Sequence, residues 1–194
     1  EWTRLHGPIG GRRLSTTDRR ALVESLLAQG ADPNARIASS AMLMYYIGYP
    51  KKGAFEPFAP GTGDLRGATP LWVAAFEMNG APSLIYSVLP NFQNSSVDVL
   101  RILLAAGADV SLTTDDGTTP LMAAAGLGKA TYTPREPRGV RSPSAEAAVR
   151  VLVEAGAEIN TVNEADFTAL HGATFRGLNE VIEYLVSQGA DIDA

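Results

Sequence analysis

The sequence has no cysteine. Disulfide frameworks, thiolate metal sites and thiol nucleophiles are therefore excluded together. Histidine is scarce as well, present only as His6 and His171. No His-Glu-x-x-His pair, EF-hand loop, Gly-x-Ser-x-Gly elbow or Walker-type glycine loop occurs. Gly61-Thr62-Gly63-Asp64 is a lone glycine-rich turn that neither follows a strand nor opens a helix. Apolar runs stay well short of the roughly 18 residues needed to span a bilayer, so no membrane insertion is expected. A net charge of -5 and a pI near 5.0 argue against nucleic acid or an anionic membrane as partner. No catalytic residue, metal site or cofactor is expected, and the chain does not read as an enzyme. Absence of cysteine fits any compartment and tilts towards an exported protein, periplasmic or extracellular. The chain opens on Glu1 without a basic, apolar leader, as expected of one that is processed, excised, or only the ordered part of something larger.

What is present suits a buried core: 45% apolar residues against 19% charged among 194. Charge is unevenly spread. Up to Arg36 there are six arginines against Glu1, Asp18, Glu24 and Asp32, whereas from Ala145 onward nine acidic residues face only Arg150 and Arg176.

The chain repeats itself. Leu26-Leu27-Ala28-Gln29-Gly30-Ala31-Asp32 is echoed by LLAAGAD from Leu103, LVEAGAE from Leu152 and LVSQGAD from Leu185. Openings are echoed too: Thr69-Pro70-Leu71, Thr119-Pro120-Leu121 and Thr168-Ala169-Leu170-His171, with Thr3-Arg4-Leu5-His6 as a weaker version. Threonine is placed to cap a helix, and proline falls in the first turn, where its missing N–H costs little. Val181, Ile182, Leu185 and Val186 form one helix stripe, as do Val99, Leu100, Leu103 and Leu104. A glycine follows each stripe. Small residues such as Ala123-Ala124-Ala125 and Gly172-Ala173 let neighbouring helices approach closely.

In these openings and endings, and in the 33 residues from Leu152 to Leu185, the chain resembles the ankyrin-repeat family, in the bacterial-type form that carries loop insertions. The resemblance implies an all-α solenoid of about four helix-turn-helix repeats with three large loop insertions. One domain would span 1–194, with repeats near 1–35, 67–112, 117–161 and 166–194. Thr69, Pro70, Leu71, Thr119, Pro120, Leu121, Thr168, Leu170 and His171 would be structural motif positions, each imidazole bonding its threonine. Trp72 and Met122 stand in the histidine slot of the middle repeats, so apolar filling is expected there and the usual hydrogen-bond network is in doubt.

Departures from the period locate the insertions. Leu103 to Leu152 is 49 residues, 16 beyond 33, and Thr69 to Thr119 is 50, 17 beyond it. These surpluses fall near 129–144 and 79–93, between the two helices of a repeat. Leu26 to Thr69 is 43 against 16 from Leu152 to Thr168, so about 27 residues are added near 37–66. That stretch lies in the inter-repeat finger and carries Met42, Met44, Tyr45, Tyr46, Tyr49, Phe55 and Phe58. Loops so long in a compact domain are usually functional or disordered, and two readings stand: a lid folded back over its own solenoid, burying the rings, or an aromatic contact surface for a partner. Residues 132–143 are polar, rich in proline and arginine, and expected to form an exposed arm.

Family resemblance implies non-catalytic binding of another protein, or of copies of itself, through the concave face and the inserted finger. Candidate contact residues are Tyr45, Tyr46, Tyr49, Phe55, Phe58, Trp72, Phe76, Met122 and Phe175. The alternative is a structural protein whose repeat ends, one basic and one acidic, stack into a larger assembly.

Overall fold

The computed structural model describes residues 16–38, 65–78, 97–128 and 141–194. Among these lie seven helices and no strand: α1 (Thr16–Ala28), α2 (Pro70–Glu77), α3 (Val97–Ala105), α4 (Pro120–Ala124), α5 (Pro143–Glu154), α6 (Ala169–Arg176) and α7 (Asn179–Ser187). They form two layers. Helices α2, α4 and α6 stack in sequence as an inner row, and α1, α3, α5 and α7 as an outer row. Cross-contacts join α2 to α3, α4 to α5 and α6 to α7. The opening Trp2–His6 and nearly all of the three insertions lie outside the described residues.

The inner helices begin where the threonines predict. Thr69 holds extended dihedrals, φ -95° and ψ 166°, and its hydroxyl accepts the Trp72 N–H at 3.2 Å, with Pro70 at the first helical position. Thr119 does the same for Met122 N–H at 3.1 Å. In α6 the histidine slot behaves as the resemblance implied: His171 Nδ1 accepts the Thr168 N–H at 3.2 Å and lies 3.0 Å from its hydroxyl. Where histidine is replaced, the bond is substituted rather than lost. Met122 Sδ accepts the Thr119 N–H at 3.4 Å. Trp72 sends its indole N–H across to the Thr118 carbonyl of the following repeat at 2.9 Å.

The core runs along the seam between the rows. Leu71, Leu100, Leu121, Val149, Leu152, Val181 and Leu185 are buried almost completely. Each such side chain is worth about 1.5–3 kcal/mol relative to exposure. Helix α6 packs very closely on the end of α4: a Cβ at Gly172 would lie 2.9 Å from Leu127 N and 3.2 Å from Ala125 O. Outer helices end on a left-handed glycine. At Gly107 φ is +89°, and Ala108 N–H then reaches back to the Leu103 carbonyl at 2.9 Å.

A second ladder ties the loops together. Asn34 donates to the Gly107 carbonyl at 3.0 Å and accepts Asp109 N–H at 2.8 Å. Asn160 repeats this pair on Gly189 and Asp191, at 3.0 and 2.9 Å. Between them the same slot holds Ser111, which is too short to span and turns its hydroxyl to Asp109 at 2.6 Å. The clamp is therefore present at two seams and replaced at the one between.

The described end of the polar arm corrects one expectation. Arg141 is not free, since it bonds both Glu146 and Glu180, and Pro143 is already the first residue of α5.

Two substitutions test these contacts. Gly172→Ala gains helix propensity of up to about 1 kcal/mol but forces a clash with the α4 end, so a net loss of about 1–3 kcal/mol is expected in urea unfolding. Ser111→Asn, by completing the clamp, is expected to raise stability by about 1 kcal/mol. An unchanged or lowered urea midpoint would show that the slot has no such role.

Candidate interaction surface

The long insertion is rooted on a defined stem. Ile37 N–H donates to the Ala68 carbonyl at 3.0 Å and Gly67 N–H to the Ile37 carbonyl at 2.8 Å, so the chain closes on itself where the loop leaves and returns. Ile37 and Leu65 pack against a small buried cluster of Ala68, Trp72 and Ala123, beside Val73 and Phe76. Gly67 allows this closure: φ is +82°, and a Cβ there would lie 2.6 Å from an Arg36 guanidinium nitrogen and 2.7 Å from Asp115. Arg36 passes over it to the Thr113 carbonyl at 2.7 Å, and Asp115 N–H bonds the Arg66 carbonyl at 2.8 Å. The stem is thereby fixed to the next finger.

Beside the stem stands an aromatic pair. Trp72 and Phe76 are stacked, with centroids 5.1 Å apart and planes 16° from parallel. Trp72, 3% exposed and held by its indole bond, is a rigid floor, and Phe76 is half-buried on it. A Cβ at Gly128 would come within 3.2 Å of the Phe76 ring, which confines that ring from the α4 side. Further along the inner row, Phe175 is half-buried, and Phe167 tilts against His171 at 5.3 Å.

The candidate contact residues thus separate. Trp72 and Met122 (1% exposed) are core residues, not contact residues: the indole N–H and the thioether each satisfy backbone groups inside the stack. Phe76 and Phe175 keep part of their rings accessible. Tyr45, Tyr46, Tyr49, Phe55 and Phe58 lie outside the described residues. Of the motif positions, Thr69, Leu71, Thr119, Pro120, Leu121 and Thr168 are buried, Leu170 and His171 half-buried, and Pro70 exposed. Ile37, Leu65 and Val73 were missed by sequence reasoning. The local signal was faint, because isolated aliphatics beside a glycine turn carry no periodicity.

A second feature is polar. Helices α5 and α7 flank a basin of about 550 Å³, lined among others by Arg141, Glu146, Arg150, Glu180 and Tyr184. Arg141 bonds Glu146 at 2.6 Å and Glu180 at 3.3 Å; Arg150 bonds Glu146 at 3.1 Å and lies 4.2 Å from the centre of the Tyr184 ring. Hydrogen bonding from Arg141, then from Arg150, holds the Glu146 carboxyl below its usual range, although its partial burial opposes this. The same contact with Glu146 raises the Arg141 pKa. These charges neutralise one another, so the basin joins two repeats. On the loop ladder, the Ser111 hydroxyl and then its N–H lower the Asp109 pKa. No group of three or more His, Asp or Glu side chains suited to a metal occurs among the described residues. Nor is any described helix long and apolar enough to cross a membrane.

Comparison with known proteins agrees with this geometry. A family model described as ankyrin repeats (3 copies) matches residues 84–194. BRCA1-associated RING domain protein 1 of Caenorhabditis elegans is 37% identical over 108 residues, 55% of this chain and 13% of that protein. Alpha-latroinsectotoxin-Lt1a of Latrodectus tredecimguttatus is 36% identical over 101 residues, 52% of this chain and 6% of that protein. Ankyrin repeat and SAM domain-containing protein 6 of Rattus norvegicus is 36% identical over 84 residues, 43% and 8% of the two. The chain thus matches only a small part of each relative's length.

The arginine–glutamate seam predicts a pH signature. Because the folded-state pKa of Glu146 is lowered, its stabilisation is present above the unfolded value of about 4.3 and is lost as pH falls through the folded value. Glu146→Gln should therefore cost stability at pH 7, under about 1 kcal/mol since the arginines are largely exposed and screened. The difference from the parent should shrink below about pH 4. A gap independent of pH in thermal unfolding would refute the assignment.

Proposed function

Because the chain belongs to the ankyrin-repeat family, we propose that it is a non-catalytic protein-binding module whose partner sits on the concave face of the inner helices and on the insertion rooted between Ile37 and Leu65. Ankyrin repeats generally mediate protein–protein interaction, and the family is typically non-catalytic. The finer reading rests chiefly on the stem. An insertion carrying Tyr45, Tyr46, Tyr49, Phe55 and Phe58 leaves the stack beside Val73 and Phe76, so loop and helix aromatics would share one surface.

Physically, a paired stem holds the two ends of the insertion together, which lowers the entropic cost of presenting it to a partner. Aromatic rings add large contact area with few rotatable bonds, and tyrosine and phenylalanine are enriched in the centres of interfaces. Phe76, already stacked on a fixed indole, loses little freedom on contact. Phe175 lies on α6, two helices further along the same inner row.

The test compares capture of a partner from the native source by the parent chain and by two variants. One carries alanine at Tyr45, Tyr46, Phe55 and Phe58; the other is Phe76→Ala with Phe175→Ala. Each is expected to weaken capture about tenfold or more, while the helical circular dichroism spectrum is kept. Full retention of the captured partner by both would overturn the reading.

A further inference from the structure

Serine or threonine precedes proline at Thr69-Pro70, Thr119-Pro120, Thr133-Pro134 and Ser142-Pro143. Thr133 lies outside the described residues, and the other three open α2, α4 and α5. Thr69 and Thr119 are buried, with ψ of 166° and 163°, and their hydroxyls are engaged as caps by the Trp72 and Met122 N–H groups. Ser142 stands in the same relation to α5, but its ψ is 83° and its side chain makes no capping hydrogen bond. It is half-buried between the exposed Arg141 and Pro143. Proline keeps the residue before it out of helical dihedrals. Ser142 thus carries a hydroxyl that does not cap its helix, on irregular backbone of the outer row.

Beside that hydroxyl is a charge arrangement that one added anion can undo. Arg20 and Glu146 share a repeat slot, six residues before Leu26 and Leu152. Asp98 and Glu180 share another, five residues before Leu103 and Leu185. At the first seam the two slots hold opposite charges, and Arg20 meets Asp98 at 3.0 Å. At the α5–α7 seam they hold two carboxylates. A cation from outside the repeat pattern reconciles these: Arg141, the residue before Ser142, bonds Glu146 at 2.6 Å and Glu180 at 3.3 Å. Arg150 also bonds Glu146, whereas Glu180 is reached through Arg141. The Arg141 side chain is 61% exposed, so an anion placed next to it can compete for the guanidinium.

We infer that Ser142 is a phosphoacceptor for a serine kinase that takes proline after the target residue, and that its phosphate draws Arg141 away from Glu180 and loosens α7. In the transfer the Ser142 oxygen bonds the γ-phosphorus of ATP, the bond to the departing ADP breaks, and the hydroxyl proton passes to the base of the kinase. The product carries a charge of about -1.5 to -2 at pH 7, more than either glutamate. Bonds from a guanidinium to a phosphate are charge-assisted and strong, so Arg141 turns to its neighbour. Glu180 then faces Glu146 without the cation between them. The site lies on the outer row and does not depend on the reading of the concave face.

The test incubates the 194-residue chain with magnesium, ATP and a purified proline-directed serine/threonine kinase, and locates phosphate by mass spectrometry. Phosphate on Ser142, with none on Thr69 or Thr119, is expected. Amide hydrogen exchange in α7 should then rise about two- to fivefold, the range of an exposed ion pair, while α2 and α4 keep their rates. Arg141→Gln should raise α7 exchange to the same extent without phosphate, and phosphorylation of that variant should add nothing. Arg141→Gln with Glu180→Gln, which removes the like-charge contact, should return the rate towards that of the parent. The proposal is overturned by absence of phosphate on Ser142, or by an unchanged α7 rate in the phosphorylated chain. An equal further rise in phosphorylated Arg141→Gln, or no return in the double variant, would overturn it as well.

Discussion

No described helix can cover its own apolar stripe, and that constraint shapes everything else. Described helices run from five residues in α4 to thirteen in α1, lengths at which an isolated helix in water is marginal or absent. Their stability comes from packing on a neighbour in the same row and a partner in the other. Every repeat is therefore a stabilising surface for the next. Close approach is the condition for this, and it explains why α4 is built from proline, leucine, methionine and alanine while glycine stands at position 172 of α6. A methyl group there would meet the backbone of Leu127 at 2.9 Å.

Because coupling runs only between neighbours, the seams decide how the molecule holds together locally. Three devices serve them: apolar packing along the rows, arginine–carboxylate contacts on the outer face, and asparagine clamps along the loops. They are not equally distributed. The α1–α3 seam has Arg20 on Asp98 together with the Asn34 clamp, and the α5–α7 seam has Arg141 on Glu180 with that of Asn160. At the intervening seam the clamp slot is serine. That seam is instead bridged in the inner row, where the Trp72 indole crosses to the Thr118 carbonyl at 2.9 Å. Inner-row polar bonds are not confined to the seam without a clamp: Asn163 donates to the Thr118 hydroxyl at 3.2 Å across the following seam, which has the Asn160 clamp as well.

The architecture was legible in sequence because it is written several times. Thr-Pro-Leu openings, glycine after each outer helix and a spacing of 33 are mutually reinforcing, and each predicts a local geometry that the structure shows. Whether a side chain in a repeated slot faces inward was less legible. By sequence, Trp72 and Met122 fill the histidine slot with apolar bulk, yet also stand as contact candidates because they lie near each repeat opening. In fact both are buried, and each satisfies a backbone group from that slot. The partner of the Trp72 indole is 46 residues distant, at a separation no local pattern encodes. The stem was hidden for a similar reason: Ile37 and Gly67 are brought together only by closing a long loop. Loop length can be obtained from repeat arithmetic, but loop conformation cannot.

Insertion and regularity play complementary parts. A nearest-neighbour stack tolerates added loop residues, since doubling a loop costs only about 0.6 kcal/mol in closure entropy once its ends are held. Those ends are well held here: Ile37 exchanges hydrogen bonds with the strip at Gly67 and Ala68, and Arg36 anchors to Thr113 beyond. The stack therefore bears variation in the insertion without transmitting it to the core. Trp72, immediately beside the stem, answers to the fold. Stability therefore resides where the repeat is kept, in the packed rows and their seams.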